Sequence, residues 1–296
     1  FITRYLGQGW GYFSVWSYWL SVVFIGMAEI TAVAHYVQFW FPSWPSWSIQ
    51  LVFLTILGLV NLIAVKIFGE VEFWFAMIKI VAILAMIATG IFMVLTGFET
   101  PYGSASLSNI SHQFSLFPNG GMNFVMAFQM VFFAYLMIEF IGVTTSETKN
   151  PRKVLPKAVK EIPLRIIFFY GGALLAIMSI IPWGELSSAD SPFVTVFELA
   201  GLKWAAALIN FVVLTSAASA LNSTLYSTGR HLYQIAHDSP NRFLKAIKAD
   251  TLSRHNVPQS AIIASAVLIG LAAFINVLPG VSDAFALITA SSSGVY

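Results

Sequence analysis

Residues 71–95 read VEFWFAMIKIVAILAMIATGIFMVL. Past Glu72 at its start, this run carries a single ionisable side chain, Lys79. At about 1.5 Å of rise per residue, a helix of this length crosses the roughly 30 Å of bilayer hydrocarbon. Its apolar residues are continuous, whereas a transmembrane strand alternates. The stretch therefore reads as a membrane-spanning helix with a cation set roughly 9 Å past its start.

The rest of the chain repeats the pattern. Apolar runs at 11–40, 48–68, 71–95, 123–145, 163–182, 204–229 and 258–277 predict seven spans. An eighth begins near Ser282 and runs to the chain end at 296. Pro42-Ser43-Trp44-Pro45, Phe68-Gly69-Glu70, the polar stretch 96–122 and Pro279-Gly280 punctuate them. Trp40, Trp44, Trp47, Trp183 and Trp204 fall at predicted helix ends, where amphipathic rings favour the headgroup region. The expected fold is an all-α membrane protein forming a single transmembrane domain over 1–296.

Composition agrees. Of 296 residues, 58% are hydrophobic and 9% charged, with a mean hydropathy of +0.79. A soluble domain carries about 25% charged residues, so most side chains here face lipid or each other. A net charge of +2 gives no footprint for nucleic acid, and the absence of cysteine excludes a disulfide framework and cysteine-ligated metal. Neither a phosphate-binding glycine loop nor a metal-spaced histidine pair occurs, so no enzyme, metal or cofactor is expected. Oligomeric state is left open. The opening Phe1-Ile2-Thr3-Arg4 and the closing Ser291-Ser292-Ser293-Gly294-Val295-Tyr296 read as cuts within a longer protein.

Basic residues set the orientation. Arg4, Lys66, the group Lys149, Arg152, Lys153, Lys157, Lys160 and Arg165, and the group Arg230, Arg242, Lys245, Lys248 and Arg254 all fall on one side of the predicted helix count. Only Lys203 falls on the other. The basic side is cytoplasmic by the positive-inside rule, which makes 146–162 and 230–257 cytoplasmic loops.

Ionisable groups within a bilayer are functional candidates by default. Lys79 either snorkels to the interface or points inward, where its amine would take a sodium ion's place and carry a coupled proton. Glu29, flanked by Gly26, Ala28 and Thr31, is either a packed carboxyl or a proton-relay group. Glu139 lies where Gly142, Thr144 and Thr145 weaken the helix. Interrupted helices in transporters free backbone groups to bind substrate. Thr215, Ser216, Ser219 and Asn222 line a predicted helix as a small hydroxyl run, either for tight packing or as an ion path.

Three stretches resemble the bacterial amino-acid permeases of the APC superfamily. Gly69 through Lys79 resembles the start of that family's fifth helix. Glu139–Gly142 with Glu147-Thr148-Lys149-Asn150-Pro151 and Pro156-Lys157-Ala158 resembles its sixth helix and the loop that follows. Asn210 through Ser219 with Asn222-Ser223 resembles its eighth. These runs, Gln38-Phe39-Trp40-Phe41-Pro42 and Ile162-Pro163-Leu164-Arg165-Ile166-Ile167 are most similar to the D-serine/D-alanine/glycine branch. The resemblance implies an inverted-repeat transporter fold, of which the chain would be a fragment covering helices three to ten of twelve. It implies substrate contacts at Phe133, Ala134, Tyr135, Leu136 and Met137, and proton coupling through Lys79, with Glu29 and Glu139 as further candidates. Met137 departs from the glycine common at that position. The implied activity is import of D-alanine, D-serine or glycine with a proton across the lipid bilayer of the bacterial inner membrane. Aromatic, γ-aminobutyric or basic amino acids on the same fold, and a channel or membrane sensor, are the alternatives.

Overall fold

Backbone amides in hydrocarbon have no water to bond, so a chain this apolar satisfies them within helices. The computed structural model describes residues 2–63, 65–112, 114–115, 117–136, 138, 150–186, 191–238, 241–253, 257–275 and 284–295. The helices are α1 (Ile2–Leu6), α2 (Gln8–Gln38), α3 (Ser46–Ile63), α4 (Val65–Thr96), α5 (Ser108–His112) and α6 (Gly121–Tyr135). After them come α7 (Pro151–Ile166), α8 (Gly172–Ile180), α9 (Pro192–Leu199), α10 (Lys203–Asp238), α11 (Arg242–Ala246), α12 (Gln259–Gly270), α13 (Ala272–Ile275) and α14 (Ala284–Val295).

Two features correct the expected fold class of eight spanning helices. Among the described residues, four helices are long and apolar enough to cross a membrane: Gln8–Gln38, Phe73–Thr96, Pro151–Ile180 and Trp204–Asp238. Ser46–Leu62, Gly121–Tyr135 and Gln259–Ile275 are shorter apolar helices. Gly121–Tyr135 ends at Tyr135, where a span over 123–145 was expected, because hydropathy sums side chains and is blind to where a helix stops. The second feature is a β-hairpin in the polar stretch 96–122. Its strands β1 (Glu99–Thr100) and β2 (Gly103–Ser104) pair antiparallel, Glu99 opposite Ser104 and Thr100 opposite Gly103. Gly103 has φ +109°, a conformation only glycine adopts without strain.

Element boundaries also move. Phe68-Gly69-Glu70 lies inside α4, because one glycine costs a helix only about 1 kcal/mol. Residues 151–162 and 230–238 are helical, continuous with the spans that follow and precede them, where cytoplasmic loops were expected. Asn150, at φ 55° and ψ 56°, precedes α7, and Pro151 opens it. Proline suits that position because its missing N–H needs no partner there. Pro163 removes a ladder hydrogen bond, and a π turn, Ile167–Gly171, follows in the next turn before α8 begins.

The chain forms two compact units. One comprises Phe1–Ala76 and Val213–Tyr296, the other Met77–Val212. In the first, Val33, Ala34 and Val37 of α2 pack with Ile49 of α3 and Leu214 and Ala217 of α10. Here α14, α3 and α12 also pack on α2. Small residues let the helices close. A β-carbon on Gly26 would lie 2.7 Å from Ile269 Cδ1 and 3.0 Å from Thr224 Cγ2. In the second unit, the buried face of α4 comprises Ala82, Met86, Ile87, Gly90 and Met93. It meets Ala173, Ala176, Ile177 and Ile180 of α8 through contacts at Gly90 and Gly172. The hairpin region is tied to the end of α8 by Asn109 Nδ2 donating to Ser179 O at 2.9 Å and by Ser106 N–H donating to the same oxygen at 3.0 Å.

A β-carbon at Gly90 would stand 2.6 Å from Ala176 Cβ and 3.2 Å from Ala176 Cα. Neither atom can swing away, so Gly90→Val must part α4 from α8. The expected loss is about 1–3 kcal/mol, read as a lower melting temperature of the detergent-solubilised protein. An unchanged melting curve would refute that close approach.

Candidate functional site

Helical spacing decides what each candidate residue faces. Lys79 stands three, seven, eleven and fourteen residues before Ala82, Met86, Gly90 and Met93, all buried. It therefore lies in line with the buried stripe of α4 and is itself half-buried. Phe73, Trp74 and Val81 are exposed on the same helix. Glu29 is half-buried in α2. Its own face carries Val22, Gly26 and Val33, all buried, and Tyr36 follows it by two turns. Glu29 belongs to the first unit and Lys79 to the second.

The hydroxyl run of α10 turns inward. Thr215 and Ser216 are half-buried, while Ser219, Asn222, Thr224, Ser227 and Thr228 are buried. Several return their hydroxyls to the helix backbone: Thr224 Oγ1 donates to Ala220 O and Thr228 Oγ1 to Thr224 O, each at 2.8 Å. Such bonds satisfy a hydroxyl inside lipid without a partner helix. Asn222 instead reaches across. Asn61 of α3 donates through Nδ2 to Asn222 Oδ1 at 2.6 Å and to Leu57 O at 2.9 Å. Two further bonds bind the same unit: Trp19 Nε1 donates to Thr228 O at 3.1 Å, and Ser292 Oγ to Ser21 O at 3.3 Å. Tyr18 packs its ring on His231, with centroids 4.9 Å apart, and the His231 Nδ1 lies 2.8 Å from Ser227 O.

The remaining candidates gather at the end of α6. Phe133 and Leu136 are half-buried, and Ala134 and Tyr135 exposed. The helix stops at Tyr135, and Leu136 leaves it with φ −61° and ψ 156°. Met137 and Glu139 lie outside the described residues. Against Ala134 and Tyr135 stands Tyr170, from the π turn after α7.

Asn61 and Tyr170 were not singled out from the sequence. Asn61 had a signal, an amide within the apolar run Leu57–Ile63. Tyr170 had none, since nothing in Ile167-Phe168-Phe169-Tyr170-Gly171 announces a π turn. A cavity of about 380 Å³ in the second unit, lined by Thr89, Phe92, Met93, Phe98 and Leu202 among others, holds none of the predicted site residues. Among the described residues, no three of His, Asp and Glu gather as a metal site.

An apolar helical protein with interior polar groups and a stopped helix has the layout of a membrane transporter. Residues 1–295 match the amino acid permease family, and the chain belongs to that family. The match runs the length of the chain, and four spanning helices among the described residues stand where eight were expected, so the assignment to helices three to ten is not kept. It is 47% identical over 296 residues to the DL-alanine permease SerP2 of Lactococcus lactis, covering 100% of this chain and 64% of that one. Identity is 49% over 293 residues to the serine permease SerP1 of the same organism, covering 96% and 63%. It is 44% over 297 residues to the D-serine/D-alanine/glycine transporter of Escherichia coli K12, covering 99% and 62%. The chain thus spans less than two thirds of the length of these relatives. It is a multi-pass protein of the bacterial membrane, from a family of permeases rather than enzymes.

The Asn61–Asn222 pair is open to a double-mutant cycle with Asn61→Ala and Asn222→Ala. Interhelical hydrogen bonds in membrane proteins couple by about 0.6–1.7 kcal/mol, and a coupling in that range is expected from thermal unfolding in detergent. Additive effects of the two changes would show that the bond does not tie α3 to α10.

Proposed function

We propose that the permease to which this chain belongs imports small neutral amino acids, D-alanine, D-serine and glycine, together with a proton. The observation that carries this reading is the 44–49% identity, over nearly the whole chain, to permeases named for alanine, serine and glycine. Phe133, Tyr135 and Leu136 stand at the position at which α6 stops. In this reading Phe133 to Met137 contact the substrate. The stopped helix offers backbone groups that an unbroken helix would use internally.

Lys79 is the proposed coupling residue. Its place in line with the buried face of α4 supports an inward amine over a snorkelling one. Glu29 and Glu139 are proposed as relay carboxylates, and Thr215, Ser216, Ser219 and Asn222 as the polar lining of the ion path. Coupling requires that substrate and proton each favour one packing of the helices over another, since only differential affinity shifts a conformational equilibrium.

Uptake of labelled D-alanine and glycine by the full-length permease, in a host lacking its own transporters, tests the reading. Accumulation is expected against a concentration gradient and should collapse when the pH gradient is dissipated. Competition by excess aromatic or basic amino acids in place of alanine or glycine would move the cargo elsewhere in the family. Lys79→Ala is expected to lower proton-driven accumulation about tenfold or more while leaving exchange at equal concentrations, which needs no proton, closer to normal. Accumulation at the unsubstituted level would remove Lys79 from the coupling role.

A further inference from the structure

The last four carbonyls of any helix lack an intrahelical donor, and within a membrane each needs one from elsewhere. At the end of α6, Leu136 N–H bonds back to Phe133 O at 3.2 Å. Ala134 O accepts a hydrogen bond from the Tyr170 hydroxyl at 2.8 Å. The Tyr170 ring also stacks on Tyr135, with centroids 5.4 Å apart and planes 16° from parallel. One side chain therefore holds two consecutive residues of the stopped helix, one by its backbone and one by its ring.

The π turn makes this possible. Beyond it, α8 is committed to α4: Ala173, Ala176, Ile177 and Ile180 are buried, Gly172 approaches Ile87, and Ala176 closes on Gly90. The extra residue of a π turn rotates the face before it, relative to the face after it, by about 100°. The segment can thus present Tyr170 to α6 while α8 keeps its packing on α4. Single π turns of this kind concentrate at functional sites.

We propose that Tyr170 is a positioning residue: it fixes the end of α6, and through it Phe133 to Leu136, in the geometry that selects the amino acid. The proposal rests on the transport reading above and adds a residue from another helix to it. Without the hydroxyl, Ala134 O loses its donor and the helix end gains freedom to turn toward water or cargo. Without the ring, Tyr135 loses the surface that orients it.

Two measurements on the full-length permease test it. The first is uptake kinetics of Tyr170→Phe, which removes the hydroxyl and keeps the ring. The apparent KM for the preferred amino acid should rise about fivefold, the worth of one hydrogen bond of about 1 kcal/mol, with the maximal rate little changed. Tyr170→Leu, which removes both contacts, should raise it further and admit larger neutral amino acids. The second needs no transport. Leu136→Cys is labelled in native membranes by a water-soluble maleimide, and the labelling rate should rise severalfold when Tyr170→Phe is added. Unchanged KM and unchanged labelling in Tyr170→Phe would overturn the proposal. So would a fall in maximal rate alone, which marks a general structural role. If labelling depends on Tyr170 while the unsubstituted permease accumulates no amino acid, the helix-end contact stands, and both the transport reading and the selectivity role fall.

Discussion

Hydrocarbon offers no hydrogen-bond partners, so a polar group placed in it bonds within the protein or bears a desolvation cost. The long helices meet that demand for their interiors. Their ends and their polar side chains do not meet it alone, and the informative contacts of the structure are the places where a second segment supplies what the first lacks. Ala134 O takes a proton donor from Tyr170. Asn222 Oδ1 on α10 accepts a hydrogen bond from Asn61 Nδ2 on α3. Thr228 O receives the Trp19 indole. The hydroxyls of Thr224 and Thr228 fold back onto their own helix and need no neighbour.

Close packing is the second requirement, and it follows from the first. Helices in lipid gain no hydrophobic drive from meeting each other, so they associate through surface fit and polar bonds. The small residues are placed accordingly. Gly26 admits Ile269 and Thr224, Gly229 admits Ile262, and Gly90 admits Ala176. These approaches bring backbones near enough for short side chains such as asparagine and serine to bridge them. Packing and polar pairing are thus one arrangement: a bulkier residue at these glycines would also pull apart the donors and acceptors that depend on close contact.

The same physics separates the two kinds of charge in the chain. Arg152, Lys153 and Lys157 are exposed, as are Glu161's partners, with Arg165 meeting Glu161 at 2.6 Å one turn away. Exposed pairs of this type contribute little to stability. Lys79 and Glu29 are half-buried on faces that carry buried neighbours. A group placed there bears a desolvation penalty that an exposed one avoids, and a role in coupling is the proposed reason that it is kept.

The sequence by itself determined that the solvent is lipid, that helices carry the fold and, through motifs around Lys79, Asn150 and Asn210, to which family the chain belongs. These are properties of composition and local order, and they survive without coordinates. Tertiary structure alone decided that Gly69 stays inside α4, that the basic segment 151–162 is helical, that a hairpin forms at Glu99–Ser104, and that a π turn carries Tyr170 to Ala134. Hydropathy adds up side chains along one segment. Whether a backbone carbonyl may be left unbonded depends on a donor from a segment distant in the chain, and no local sum contains that information.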